Sequence, residues 1–311
     1  GKGAVGLRVE RYFGIEANVD AGPDLSVAGI EIKSVPMKVV RRGKTAKERT
    51  SITMIDYHRV VEESFADSAL DLKTRLTLYV FYLWSTDGNP DPTDQRFLRV
   101  LMHDRDGIDL LALESAYDHV RDRTLAGDAH RLSEGDTSPV GACTKGAKGQ
   151  FKTQPFSPEP ARSRAFAWRP AYTTRLFRTD PANQQRPSDQ VPASLDELTR
   201  QVTIRIAPTI GRSVEEVRRE AAPNVSPRAK NVAAATFRRL LASPPVDLVS
   251  TLDGLGTTLR VIRVEPSSMR PREAVSFASF EFTDVAATPW EESEVLAALG
   301  RILFVVLDSR T

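Results

Sequence analysis

Asp24, Glu31 and Lys33 are the residues of this sequence whose types and spacing point most directly to chemistry. Six residues separate Asp24 from the Glu31-Ile32-Lys33 triplet. On a strand, a period of two sends Ile30 and Ile32 to one face and Glu31 and Lys33 to the other, so a core contact and an acid and base pair come from the same four residues. Two carboxylates beside a lysine form a hard-oxygen site. Asp24 and Glu31 suit Mg²⁺, which takes carboxylate oxygens, waters and substrate phosphate, and Lys33 suits the holding of an attacking water. That chemistry hydrolyses a phosphodiester without a covalent intermediate. A surface strand with a Glu and a Lys on its wet face would read the same, so other features must decide.

The elements that would position these residues are legible in part. Residues 4–13 place Val5, Leu7, Val9, Tyr12 and Phe13 at roughly helical spacing before Gly14, which predicts a helix. Alternation between Gly29 and Pro36 predicts a strand through Glu31, with further strands over 50–57 and over the apolar run 76–84 and a helix over 107–123. From Gly127 to Ser194 the periodicity is lost and Gly, Pro and Ser accumulate, ending in PANQQRPSDQVPAS, a linker by composition. Helical patterning resumes over 194–205, 213–222 and 229–242, followed by strand patterns over 258–264, 275–282 and 302–308. Strands and helices therefore mix in an α/β or α+β fold. A domain over 1–188 and another over 189–311 follow.

Length and composition narrow the class. The chain has 311 residues, 41% of them hydrophobic, enough for one large or two ordinary domains. The longest nearly unbroken apolar stretch, Leu76 to Trp84, is too short for a bilayer crossing. One cysteine, Cys143, excludes an internal disulfide and points to a reducing cytoplasm. The net charge of +2 gives no global reason for a polyanion partner. Its distribution does: Lys145, Lys148, Lys152, Arg162, Arg164, Arg169, Arg175 and Arg178 crowd one stretch against Glu159 alone, interleaved with Phe151, Phe156, Phe166, Trp168 and Tyr172. That mixture suits phosphate neutralisation beside base or sugar contact. The four histidines show no metal-ligand spacing, and no glycine-rich loop predicts a nucleotide cofactor.

The sequence resembles the PD-(D/E)xK nucleases, and within them the MutH mismatch-repair endonucleases and their relatives among two-domain, GATC-cutting type II restriction enzymes. KGAVGLRVERYFG is similar to the family's first helix with its glutamate, here Glu10. GPDLSVAGIEIKSVP is similar to the catalytic hairpin with Asp24, Glu31 and Lys33, and SALDLKTRLTLYVFY carries Lys73 where the family has a further active-site lysine. ACTKGAK resembles the loop whose lysine, here Lys145, enters the major groove, and RAFAWRPAYTTRLF resembles the next DNA-facing strand and its helix. The resemblance implies a restriction-endonuclease-like mixed sheet flanked by helices. It implies an Mg²⁺-dependent nuclease of double-stranded DNA at GATC, with Lys145, Lys148, Arg164 and Arg169 on the DNA. Arg169 suits a phosphate better than a base. Where MutH has a tyrosine implicated in sensing adenine methylation stands Ala167, which favours cutting that tolerates methylation. A GATC nickase of mismatch repair and a non-catalytic DNA-binding regulator on a nuclease fold are the alternatives.

An internal repeat adds to this. IEIKSVPM, KERTSITMIDY and LTLYVFYLW have ordered counterparts TTLRVIRV, REAVSFASFEF and ILFVVLD. The alignment sets Arg238 against Glu10, Thr258 against Glu31, Arg260 against Lys33 and Ala297 against Lys73, so the second half reads as a degenerate, inactive and apparently incomplete copy. Its expected use is to hold DNA, a second DNA site or a second protomer.

Overall fold

The computed structural model describes residues 4–15, 22–40, 43–84, 95–147, 149–179, 192 and 194–308, except 273, 276, 278, 279, 281, 288, 289, 291 and 292. Most of the 181–194 segment read as a linker lies outside the described residues. The chain divides into two compact units, Gly1–Arg186 and Pro187–Thr311.

In the first unit the order is α1 (Ala4–Tyr12), β1 (Ile30–Val40), β2 (Gly43–Ala46), β3 (Thr50–Met54), α2 (Arg59–Glu62), α3 (Ala69–Thr74), β4 (Leu76–Leu83), β5 (Phe97–Asp104) and α4 (Gly107–Leu125). There follow β6 (Val140–Thr144), β7 (Phe151–Gln154), β8 (Ser157–Arg162), β9 (Arg164–Trp168) and α5 (Pro170–Arg178). A mixed sheet runs β2-β1-β4-β5, with β1 and β4 parallel and the outer pairs antiparallel. The architecture is thus α+β. Val5 and Val9, one turn apart on α1, pack on Ile32, Leu78, Val80 and Tyr82, which covers one face of the sheet; each such side chain contributes about 1.5 kcal/mol or more on burial. The other face is closed from the C-terminal side of the unit, where Phe177 meets Phe81 edge to face and Tyr172, stacked on Trp168, reaches His103.

Residues 127–179, read from sequence as aperiodic, are ordered into β6 to β9 and α5. Their strands are four to six residues long, and β9 is central in the antiparallel sheet β3-β9-β6 and buried along its whole length. Neither feature leaves an alternating pattern to read.

The second unit contains α6 (Leu195–Ile206), α7 (Val214–Ala221), α8 (Val232–Leu241), α9 (Leu248–Gly254), β10 (Thr258–Val264), α10 (Phe282–Ala287), α11 (Glu294–Leu299) and β11 (Ile302–Asp308). β10 and β11 pair in parallel, and Leu198, Val202, Phe237, Leu241, Leu248 and Leu252 are buried on the helices of this unit. Of the strand expected over 275–282, the described residues Val275, Phe277 and Phe280 lie in no strand, and Phe282 begins α10. Phe277, Phe280 and Phe282 are exposed, so the described apolar positions of that segment bury no face against a strand.

Candidate active site

The segment before β1 folds back on it through the bridge between Leu25 and Ile30. Asp24 is thereby laid against the start of the strand, where its Oδ2 accepts a hydrogen bond from the Ile32 amide at 2.8 Å. Period two then sends Ile32 under α1 and Glu31 to the opposite face. In the parallel ladder Glu31 stands opposite Thr77 and Lys33 opposite Tyr79. Helix α3, capped by the Ser68 hydroxyl, ends one residue before β4 and so delivers Lys73 to the same end of the sheet. Lys33 Nζ donates to Glu31 Oε1 at 2.6 Å, and Lys73 Nζ lies 3.5 Å from that oxygen.

The rival reading of a surface strand with a wet face does not hold for Glu31, which is only 1% exposed, because the face it shares with Tyr79 is closed by the layer that carries Trp168 and Tyr172. Two ammonium groups balance a carboxylate that burial would otherwise make costly. Its second oxygen, Oε2, is buried without a hydrogen-bond partner.

Glu10 reaches the same end of the sheet from α1. A β-carbon on Gly6 would lie 3.2 Å from Ser34 Oγ, so glycine at this position lets the helix run close over β1. Burial raises the affinity of Glu10 for its proton, and the negative charge of Asp24 raises it further; Lys33 acts in the opposite sense, and Glu31 adds to the rise. The field at Glu10 therefore reports one electrostatic cluster of Glu10, Asp24, Glu31 and Lys33. No three His, Cys, Asp or Glu side chains among the described residues converge as a ready metal cage. The donor set fits Mg²⁺ nonetheless, since that ion needs only one or two carboxylates besides waters and phosphate, and Glu31 Oε2 is an oxygen in want of a cation or donor.

The residues expected on DNA separate. Lys145 is exposed just beyond β6. Lys148 lies outside the described residues. Arg164 and Arg169 are buried: Arg164 donates to the Ala142 carbonyl at 2.7 Å, and Arg169 to the carbonyls of Glu134 at 2.5 Å and Thr137 at 3.2 Å. They brace β6 and the turn before it instead of presenting charge to a phosphate, because each belongs to or follows the central strand of the sheet. Sequence reasoning missed the Ile32 amide as the anchor of Asp24. The bridge that creates this anchor is a backbone contact with no side-chain signal.

Residues 13–103 match the model of the family described as DNA mismatch repair enzyme MutH, a span that includes Asp24, Glu31, Lys33 and Lys73. That span of the first unit is therefore similar to MutH, which agrees with the mixed sheet flanked by helices. Among curated proteins, the chain is 27% identical over 311 residues to the Type II restriction enzyme Sau3AI of Staphylococcus aureus, covering 94% of this chain and 62% of that enzyme. The resemblance read from the motifs thus holds: the chain is similar both to MutH and to a type II restriction enzyme, and it spans about three fifths of the latter's length.

Proposed function

We propose that this chain is an Mg²⁺-dependent type II restriction endonuclease that hydrolyses double-stranded DNA at GATC. The observation that carries the reading is the convergence of Asp24, Glu31, Lys33 and Lys73 at one end of the β1/β4 pair, with Glu31 Oε2 buried and unsatisfied. Asp24 and Glu31 would hold the cation, whose contribution when bound is Lewis-acid withdrawal of charge from the phosphoryl oxygen. Lys33, held by Glu31, orients the attacking water in line with the phosphorus. Lys73, 3.5 Å from the same carboxylate oxygen, supplies positive charge where the transition state gains negative charge. Ala167, buried in β9, offers only a methyl group, which supports cutting regardless of adenine methylation. Residues 189–311 act as a degenerate MutH-like domain that holds a second DNA site or a second protomer.

Digestion of a sequenced supercoiled plasmid with Mg²⁺, and again with EDTA, tests this. Discrete linear fragments with ends at GATC, formed from methylated and unmethylated plasmid alike and only with Mg²⁺, are expected. The MutH match supports a second reading as a nickase, which would leave open circles. Intact plasmid under all conditions would leave a DNA-binding regulator.

A further inference from the structure

The basic stretch from Gly141 to Arg178 interleaves five aromatic side chains, and the fold sorts them. Phe166, Trp168 and Tyr172 are core residues, whereas Phe151 and Phe156 stay 52% and 68% exposed, both on the β7/β8 hairpin. The cations sort in the same way. Arg164 and Arg169 are inside, while Lys145 and Arg162 are exposed. Phe151 stands opposite Arg162 in the ladder, and the Lys145 amide donates to the Ser163 carbonyl at 2.9 Å, so the Lys145 backbone adjoins that pair at the base of the hairpin. Phe156 is at its tip.

The hairpin is braced from below. Buried Gln154 accepts from the Ala129 amide at 3.0 Å and donates to the Glu159 carbonyl at 2.6 Å, and Lys152 Nζ donates to the Ile55 carbonyl at 2.9 Å. Gly127, at φ +74°, supports the tip: a β-carbon there would lie 2.7 Å from the Phe156 carbonyl oxygen. Phe156 itself is held at φ +65°, a left-handed conformation that costs any residue with a β-carbon. An aromatic residue that is strained, rigidly seated and turned to solvent adds nothing to the core, and such strain is characteristic of contact sites.

We propose that the β7/β8 hairpin is a DNA-contacting ribbon beside the expected Lys145 contact, in which Arg162 neutralises a phosphate and Phe151 and Phe156 meet the sugars or base edges of the duplex. This rests on the reading of the chain as an enzyme of double-stranded DNA and adds contacts to it. A two-stranded ribbon fits the major groove, and exposed aromatics beside cations complement a polyanion with apolar base surfaces. Strand addition by a protein is disfavoured, since Pro158 and Pro160 remove amide donors from β8.

The test is fluorescence anisotropy of a GATC-bearing duplex with the full chain in EDTA, over a range of salt concentrations, paired with thermal melts. Arg162→Gln should weaken binding about fivefold near 0.15 M salt and lower the salt slope by about one. Phe156→Gly should weaken it by about fivefold, the low end for an aromatic contact, while the melting midpoint holds or rises because glycine accepts the left-handed backbone. Wild-type affinity and salt slope in both variants would overturn the ribbon. An effect of Arg162→Gln alone would reduce it to a phosphate contact and overturn the role of Phe156. A wild-type chain that binds duplex without cutting it removes the nuclease reading and leaves the ribbon to be judged on these affinities; one that binds no duplex overturns both.

Discussion

In the first unit β4 lies parallel to β1 with Thr77 opposite Glu31; in the second, β11 lies parallel to β10 with Ile302 opposite Thr258. Each second strand follows a short helix with the same cap. Ser68 Oγ donates to the Phe65 carbonyl at 2.6 Å and accepts from the Asp71 amide at 3.2 Å; Ser293 Oγ donates to the Trp290 carbonyl at 2.8 Å and accepts from the Leu296 amide at 3.1 Å. Thr77 and Ile302 both come nine residues after their cap. Cap and register together therefore set Thr258 against Glu31 and Arg260 against Lys33, the pairs that the sequence alignment chose; Lys73 falls against Ala298, one residue from the Ala297 of that alignment. The caps and ladders suit both units because they satisfy backbone groups in either setting. A buried carboxylate with an orphan oxygen is a cost that only a site in use has reason to keep. The covering differs too. The Glu31 face of the first sheet is closed, whereas Phe304 and Val306, on the corresponding side of β11, are 44% and 48% exposed.

The widest split between the two strand pairs should be chemical. Asp24→Asn keeps an acceptor for the Ile32 amide while weakening the metal site, and Lys33→Ala removes the group that holds the water. Each should slow single-turnover cleavage by on the order of a hundredfold or more, about 3 kcal/mol in the barrier. Arg260→Ala, at the matched position, should leave that rate unchanged. An Arg260 variant as slow as the Lys33 variant would break the assignment of chemistry to the first unit alone. Asp24→Ala is the poorer probe, because it also strips the acceptor from a strand amide.

Stability should split in the same direction. Glu31→Gln leaves Lys33 and Lys73 without their shared counter-charge and should destabilise the first unit by about 2 kcal/mol, discounted from a fully buried pair because both lysines retain some solvent access. Thr258→Val, on a partly exposed strand, should stay within about 0.5 kcal/mol. Urea unfolding followed with and without EDTA checks both, and equal losses would remove the argument that the Glu31 carboxylate balances the two ammonium groups beside it.

What the sequence could show of this comparison follows from the range of the interactions. Asp24, Glu31 and Lys33 are legible because spacing and alternation act within ten residues. The burial of Glu31 is not, since the side chains that close its face come from Trp168 and Tyr172, far along the chain. Arg162 and Arg164 look equivalent in a basic stretch, yet one ends a projecting hairpin and the other starts a central strand; only the pairing of β9 with both β3 and β6 separates them. The second unit's strands are legible where a partner strand exists, at 258–264 and 302–308, and the pattern misleads at 275–282, whose described residues lie in no strand.

A functional use for the second unit would appear as dependence on a second site. A plasmid with two GATC sites should be cut several-fold faster than one with a single site, and added site-bearing duplex should restore the single-site rate. Equal rates would leave residues 189–311 as a structural brace.

The smallest expected effect concerns pH and belongs to the first unit, which holds all four histidines of the chain. His103 is buried two strands from Glu31 in the same row of the sheet, opposite Thr77, with its Nε2 2.7 Å from Asp109 Oδ2 and 3.2 Å from the Tyr172 hydroxyl. Burial favours its neutral form, but the hydrogen bond and charge of Asp109, with Asp106 behind it, outweigh burial and the opposing charge of Arg175, so the imidazole binds its proton more tightly than usual. A raised folded-state value means that the contribution of His103 is complete below the ordinary histidine range near 6.5 and is lost as pH rises through the higher folded-state value. The melting midpoint of the first unit should therefore fall with rising pH across neutrality. His103→Gln, which has no charge to lose, should be less stable in acid and should lack that fall, so the two curves converge on the alkaline side. Parallel curves would show that His103 does not change its charge over this range and that the row beside Glu31 carries no titrating charge.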